Sequence, residues 1–297
     1  MTADIIDGAN IAQQIRSEVV VEVEVFKARH AMVPGLAVFL VGDDPASAVY
    51  VRNKQRACQE VGIFSETFRL PSDISQDELL NAIHKINADD QFHGILIQLP
   101  LPSQLDEREA IFALDPNKDV DGLHPINLGR LMDGEPLFIP GTPAGIQQLL
   151  KYSGLSPNGK QVVICGRSNI VGKPMAILMM QKKEWANATV TVCHTGTTDL
   201  ASITRTADIL ISAVGKANAI TPDMVREGAV VIDVGMNRIP DSSRKSGYRL
   251  VGDVDFAGTS VKASAITPVP GGVGPMTVAM LLVNTLKAAK LKLGGQV

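Results

Sequence analysis

Tyr50 and Lys54 stand four residues apart in Ser47-Ala48-Val49-Tyr50-Val51-Arg52-Asn53-Lys54. On a helix this spacing puts a phenol and an ammonium on one face. Such a pair can move protons, or it can be an ordinary Tyr packed over a Lys stem. A free lysine titrates near ~10.4, so basic work at neutral pH requires desolvation or a neighbouring cation to bring it down. Gln98 interrupts an apolar run, Gly94 to Leu99, ahead of Pro100-Leu101-Pro102. An amide at a strand end can orient a reactive group, and it can equally be a satisfied core glutamine. In Asp115-Pro116-Asn117-Lys118-Asp119-Val120-Asp121-Gly122, the residues Asn117, Asp119, Asp121 and Gly122 suit the start of a calcium loop. The twelfth position from Asn117 is Leu128, where that loop needs a bidentate Glu, so calcium is rejected. For Asp121 two readings stay open, an acceptor for the donor edge of a heterocycle and a solvated turn.

Gly166-Arg167-Ser168-Asn169-Ile170-Val171-Gly172-Lys173-Pro174 follows directly on the apolar run Val162-Val163-Ile164-Cys165. A glycine turn between strand and helix aims N–H groups and a positive helix end at a pyrophosphate. The spacing is G-x5-G rather than GxGxxG, which leaves a plain strand-to-helix turn as the alternative. Folds that prefer NAD carry an acid at the end of the second strand. Here that strand ends Val192-Cys193-His194-Thr195, without one. Arg167 and His194 can meet a 2′-phosphate instead, which favours NADP. Near the C-terminus, Pro268-Val269-Pro270-Gly271-Gly272-Val273-Gly274-Pro275-Met276-Thr277 interleaves glycines with prolines. Fixed and free φ angles in alternation predict a stiff loop whose backbone can approach a flat ligand, rather than a simple domain-joining turn. Met276 or Thr277 then opens an apolar run to Leu291 that reads as a helix.

The elements that must hold these residues read as α/β. Leu36–Val41 and Gly94–Leu99 are short apolar runs, suited to parallel strands covered on both faces. Ser47 to Val61 and Gln76 to Asn87 have helical spacing. The later half repeats the alternation at Gln161–Cys165, Thr189–Cys193, Ile209–Ala213 and Val230–Val234, the rhythm of a doubly wound nucleotide-binding sheet. A boundary falls near Pro140-Gly141-Thr142-Pro143, with Thr142 capping a helix and Pro143 at its first position. The expected division is residues 1–140 with 276–297 as a catalytic domain, and 141–275 as a Rossmann-like domain. Asp241 to Arg249 reads as a polar hairpin turn.

Composition narrows the function classes. The chain has 297 residues, 45% apolar and 20% charged, with 28 Lys and Arg against 31 acids. There is no basic excess to track a phosphate backbone, so no nucleic-acid partner is expected. The N-terminal residues lack the basic and apolar regions of a signal peptide, and no apolar run approaches the ~18–20 residues of a membrane span. Three cysteines without CxxC spacing suit reduced thiols in the cytoplasm. Five scattered histidines give no metal-site spacing, and no metal is expected.

Taken together, Tyr50-Val51-Arg52-Asn53-Lys54, Gly94 to Pro102, Lys118-Asp119-Val120-Asp121-Gly122, the Gly166 turn, Val231-Ile232-Asp233-Val234-Gly235 and the Pro268–Thr277 loop resemble one family. It is the bifunctional methylenetetrahydrofolate dehydrogenase/methenyltetrahydrofolate cyclohydrolase family, matched across essentially the whole chain and in order. The resemblance implies a folate-binding catalytic domain, a Rossmann-like NADP domain, a cleft between them, and a final helix returning to the first domain. It implies a cytoplasmic homodimer that oxidises 5,10-methylenetetrahydrofolate with NADP+ and hydrolyses the product to 10-formyltetrahydrofolate, in one-carbon metabolism. By the same resemblance Lys54 is catalytic, with Gln98 holding it, Tyr50 stacking on the folate and Asp121 accepting from the pterin. Pro270, Gly271, Gly272 and Gly274 would face the folate, while Gly166, Arg167, Ser168, Gly172, His194 and Ile232 would bind the cofactor. Two places depart from the family pattern: Gly141 stands where many members have Cys, and His194-Thr195-Gly196-Thr197-Thr198 replaces His-Ser-x-Thr. Short-chain reductases also carry Tyr-x-x-x-Lys, but their glycine turn precedes the pair. A non-catalytic dinucleotide sensor would need neither Lys54, Gln98 nor Asp121.

Overall fold

In the computed structural model, which describes residues 2–244 and 247–294, the apolar runs become parallel strands. The chain divides into two units. One is Gln13–Gly141 with the segment from Val278 onward; the other is the residues up to Ala12 with Thr142–Thr277. The first and last boundaries fall inside the long first and last helices.

A two-residue strand β1 (Asp4–Ile5) precedes helix α1 (Gly8–His30). Next, β2 (Gly35–Val41), α2 (Pro45–Glu60), β3 (Phe64–Leu70), α3 (Gln76–Asn87) and β4 (Gly94–Ile97) alternate, followed by α4 (Glu107–Phe112) and α5 (Pro125–Asp133). Strand β2, Gly-Leu-Ala-Val-Phe-Leu-Val, is buried at every position and lies at the centre of a parallel sheet ordered β3-β2-β4. A strand covered on both faces needs this continuous apolar run. Helix α2 starts where Asp44 accepts the Ser47 N–H at 2.7 Å, with Pro45 in the first turn. Helix α3 starts on a capping box: the Glu78 N–H donates to Ser75 Oγ, and the Ser75 N–H donates to the Glu78 carboxylate.

The other unit carries α6 (Gly141–Tyr152), β5 (Gln161–Cys165), α7 (Gly172–Met180), β6 (Thr189–Cys193), α8 (Leu200–Thr204), β7 (Ile209–Ser212) and β8 (Val230–Asp233). A hairpin of β9 (Asn237–Pro240) and β10 (Tyr248–Val251), the short α9 (Phe256–Thr259), β11 (Ala265–Ile266) and α10 (Val273–Lys292) complete the chain. The polar turn expected over Asp241 to Arg249 joins the two hairpin strands; Lys245 and Ser246 within it lie outside the described residues. The main sheet is parallel throughout, ordered β1-β11-β8-β7-β5-β6. Counted from β5, the order is 2-1-3-4-5, and its topological switch point lies between β5 and β7.

Two helix starts differ from expectation. Helix α6 begins at Gly141, so Thr142 is inside it, and the Thr142 hydroxyl meets the Thr277 hydroxyl at 3.0 Å. Helix α10 begins at Val273, ahead of Gly274 and Pro275. The reason is common to both: first-turn N–H groups have no intrahelical partner, so a proline there costs no hydrogen bond. Among the described residues, no helix is long and apolar enough to cross a membrane.

Buried Asn284 on α10 donates from Nδ2 to the carbonyls of Val120 at 2.8 Å and Ile139 at 3.1 Å. Asn284→Ala removes both bonds and leaves a buried and a part-buried carbonyl without this donor. We expect a loss of roughly 1–3 kcal/mol in urea-unfolding free energy. An unchanged unfolding midpoint would show that the amide contributes nothing net.

Candidate active site

Sheet register brings the chemistry of the first unit to one edge. Ile95 in β4 donates its N–H to the Lys118 carbonyl at 2.7 Å and pairs in parallel with Asp119. A single parallel bridge at Asp119 therefore ties this turn segment to β4, and Asp121 and Gln98 both follow shortly after the bridged residues. Gln98 still holds the ladder through its N–H to the Phe39 carbonyl at 2.9 Å. Its side-chain amide is oriented by Nε2, which donates to the Leu99 carbonyl at 2.8 Å. That leaves Oε1 to accept from Lys54 Nζ at 3.0 Å. Tyr50 lies one helical turn before Lys54 on α2, and it is exposed at 44%.

The electrostatics of this corner are set by burial. Desolvation lowers the pKa of Lys54 below 10.5, opposed by the carboxylate of Asp121 and then by Cys58. Desolvation likewise raises Asp121, opposed by Lys54. The buried Cys58 thiol, one turn past Lys54, is pushed up to about 12 by desolvation, so it stays protonated near neutrality and opposes the lowering of Lys54 only at high pH. Both charged forms are disfavoured, and the lysine is drawn toward its neutral, basic form.

The acidic run around Asp121 is explained by anchoring. Lys118 is buried, and its Nζ donates to the carbonyls of Asp89 at 2.7 Å and Ile86 at 3.3 Å, around the C-terminal end of α3. The buried Asp119 carboxylate accepts the His124 N–H and Asn127 Nδ2, both at 2.8 Å. His124 Nδ1 accepts the Ile126 N–H and caps α5. Together with Asn284, these bonds fix the backbone on both sides of Asp121. The sequence carries no sign of Asp119, Asn127 and Asn284 as positioning groups: the partners of Asn284 lie 145 and 164 positions away, and the bonds of Asp119 and Asn127 depend on how an irregular turn folds back on α5.

In the other unit, five of the six expected cofactor residues sit at the carboxyl ends of β5 and β6, beside the switch point. Gly166 follows β5 with φ +133, and a Cβ there would lie 2.4 Å from the Ala213 carbonyl oxygen. Only glycine lets the turns after β5 and β7 meet. Ser168 Oγ accepts the N–H groups of Val171 at 3.1 Å and Gly172 at 3.4 Å, and Arg167 is exposed. His194 donates its N–H to Thr197 Oγ1 at 2.8 Å, and its Nδ1 accepts the Gly196 N–H at 3.0 Å. The ring hydrogen then belongs to Nε2. With Thr195-Gly196 in this turn, one contact uses the Thr197 side chain and the other the Gly196 backbone N–H. Ile232 differs from the rest: it is fully buried within β8.

Of the expected folate-facing residues, Pro270, Gly271 and Gly272 follow β11 in this second unit, while Tyr50, Gln98 and Asp121 belong to the first. The Ala9 N–H donates to the Gly271 carbonyl at 2.8 Å. Gly274 lies in the first turn of α10, beside the Met236 side chain.

Comparison with known proteins agrees with this geometry. Residues 6–121 match the tetrahydrofolate dehydrogenase/cyclohydrolase catalytic domain, and residues 140–293 match the NAD(P)-binding domain of the same name. The bifunctional protein FolD of Chlorobium phaeobacteroides is 58% identical over 286 residues, covering 96% of this chain and 97% of that protein. The crystal structure of the bifunctional FolD methylenetetrahydrofolate dehydrogenase/cyclohydrolase from Campylobacter jejuni aligns with a TM-score of 0.92 at 47% identity, covering 98% and 99% of the two chains. The Trypanosoma brucei enzyme, solved with NADP and an inhibitor, aligns with a TM-score of 0.93 at 39% identity over 99% of each chain. Two domain matches in sequence order and near-complete alignments lead to one conclusion: this chain belongs to the tetrahydrofolate dehydrogenase/cyclohydrolase family.

Proposed function

We propose that Lys54 is the proton-transfer group of a bifunctional methylenetetrahydrofolate dehydrogenase/methenyltetrahydrofolate cyclohydrolase. The observation that carries this is a desolvated lysine whose Nζ is held at 3.0 Å by an amide that is itself oriented. NADP+, when bound, accepts the hydride from the methylene carbon of 5,10-methylenetetrahydrofolate, and the protein's task is alignment. The resulting methenyl carbon takes up water. Neutral Lys54 accepts one proton of that attacking water; the ring nitrogen takes this proton as its bond to the carbon breaks, and the remaining hydroxyl proton leaves to solvent as the formyl C=O of 10-formyltetrahydrofolate forms. The cationic substrate adds like charge and presses Lys54 further toward neutrality. In this reading Gln98 keeps the amine aimed, Asp121 accepts from the pterin edge and Tyr50 stacks on the folate. Pro270, Gly271, Gly272 and Gly274 supply a backbone surface for the same ligand.

The unit formed by Gln13–Gly141 and the segment from Val278 carries the folate chemistry, and the unit containing Gly166, Ser168, Gly172 and His194 takes the cofactor. Ile232, being buried, would shape the β8 edge from beneath. NADP over NAD follows from Arg167 and His194 at an edge without an acid. A homodimer in the cytoplasm, where the three buried thiols stay reduced, completes the reading.

Lys54→Met is expected to abolish hydration of methenyltetrahydrofolate while leaving NADP+ binding intact; a near wild-type hydration rate sinks the assignment. Asp121→Asn removes the carboxylate that favours the Lys54 ammonium. The pH midpoint for acylation of Lys54, followed by mass spectrometry, therefore moves down in that variant; a fixed midpoint means the two groups are not coupled. Arg167→Ala is expected to raise KM for NADP+ by roughly one decade, the scale of one charge-assisted hydrogen bond, with little change for NAD+. Equal changes for both cofactors count against a 2′-phosphate contact.

A further inference from the structure

After β7, three consecutive backbone N–H groups converge on one carboxylate. Asp253 is fully buried. Its Oδ2 accepts the N–H groups of Val214 at 2.6 Å and Gly215 at 3.0 Å. Its Oδ1 accepts the Lys216 N–H at 3.0 Å and Asn237 Nδ2 at 2.9 Å. Successive N–H groups of this kind form a concavity that selects anions, and here the anion is the protein's own. A second buried carboxylate supports the first. Asp233, at the end of β8, accepts the N–H groups of Gly235, Asp253 and Val254, each at 2.9 Å. Its own N–H donates to Thr267 Oγ1 at 2.8 Å. The fit leaves no slack: a Cβ on Gly252 would lie 1.8 Å from Asp233 Oδ2.

These bonds shape the turns after β7 and β8, at the same carboxyl edge as Gly166 and His194. The two donors on Oδ1 come from different turns, Lys216 after β7 and Asn237 at the start of β9, so one oxygen ties them together. Met236, next to Asn237, packs beside Gly274 at the head of α10.

We propose that Asp253 is a positioning residue for the dinucleotide. Its carboxylate holds residues 214–216 clear of the edge and fills an amide concavity that would otherwise compete for a cofactor phosphate, which directs the pyrophosphate to the Gly166 turn. This rests on the reading of that edge as the NADP site.

Asp253→Asn tests it, because the substitution is isosteric yet cannot satisfy the site. Whichever way the amide turns, its NH2 faces two of the four donors. The expected result is a Kd for NADP+ raised by about tenfold or more, with KM for NADP+ following it. Hydration of methenyltetrahydrofolate, assayed without cofactor, stays at its wild-type rate. Adding Asn237→Asp supplies an acceptor opposite the new NH2 and is expected to restore part of the lost affinity, which a merely disrupted fold would not do. A folded Asp253→Asn variant that binds NADP+ as tightly as wild type overturns the proposal, as does a double variant without recovery. If Asp253→Asn does not fold, Asn237→Ala, which removes one donor and keeps the carboxylate, is expected to weaken NADP+ binding by about threefold; unchanged affinity there overturns it equally. Wild-type protein that binds no NADP+ overturns the reading of the edge itself.

Discussion

The chemical centre depends on a lysine and an aspartate that are both partly withdrawn from water. Removing either ion from solvent is costly, and the protein meets that cost by weakening the charge on both. Desolvation lowers Lys54 and raises Asp121, and each partly restores the other. A lysine in this balance sits closer to neutrality than a surface lysine, and proton transfer at ordinary pH requires that. The hydrogen bond to Gln98 supplies direction, since Nε2 is committed to the Leu99 carbonyl and only Oε1 is left to accept from Lys54.

In each unit, buried polar side chains fasten backbone. Asp119, Asn127 and Asn284 hold the chain on both sides of Asp121. In the second unit Asp233 and Asp253 do the same for the turns after β8 and β7. Ser168 and Thr197 accept first-turn and tight-turn N–H groups beside the expected cofactor residues. A parallel sheet presents its ligand edge on loops, and loops are ordered only where their N–H and C=O groups find partners. The buried carboxylates provide those partners.

Legibility in the sequence follows the range of the interaction. Strand β2 reads plainly because the apolar run Leu36–Val41 suits a two-sided core, and α3 reads plainly from the helical spacing of Gln76 to Asn87. The helical spacing of Tyr50 and Lys54 is visible for the same local reason. Strand β3, Phe-Ser-Glu-Thr-Phe-Arg-Leu, is half-exposed at the sheet edge and offers no apolar run. Strand β1 is two residues long and forms only by pairing with β11, 261 positions away. The acidic run near Asp121 resembles a metal loop because helix caps and calcium loops draw on the same short acids and amides. Asp253 gives no signal at all, since its four donors come from segments 16 to 39 positions away.

Proton transfer at this site turns on Lys54 being held with a lowered pKa inside the folded protein. Titration of its side-chain nitrogen by 15N-detected NMR in wild-type protein, with Lys54→Met to assign the resonance, tests it directly. The expected midpoint lies below the ordinary lysine value of 10.5. A midpoint at or above that value would contradict it, because Lys54 would then be a conventional ammonium and some other group would have to accept the proton from water.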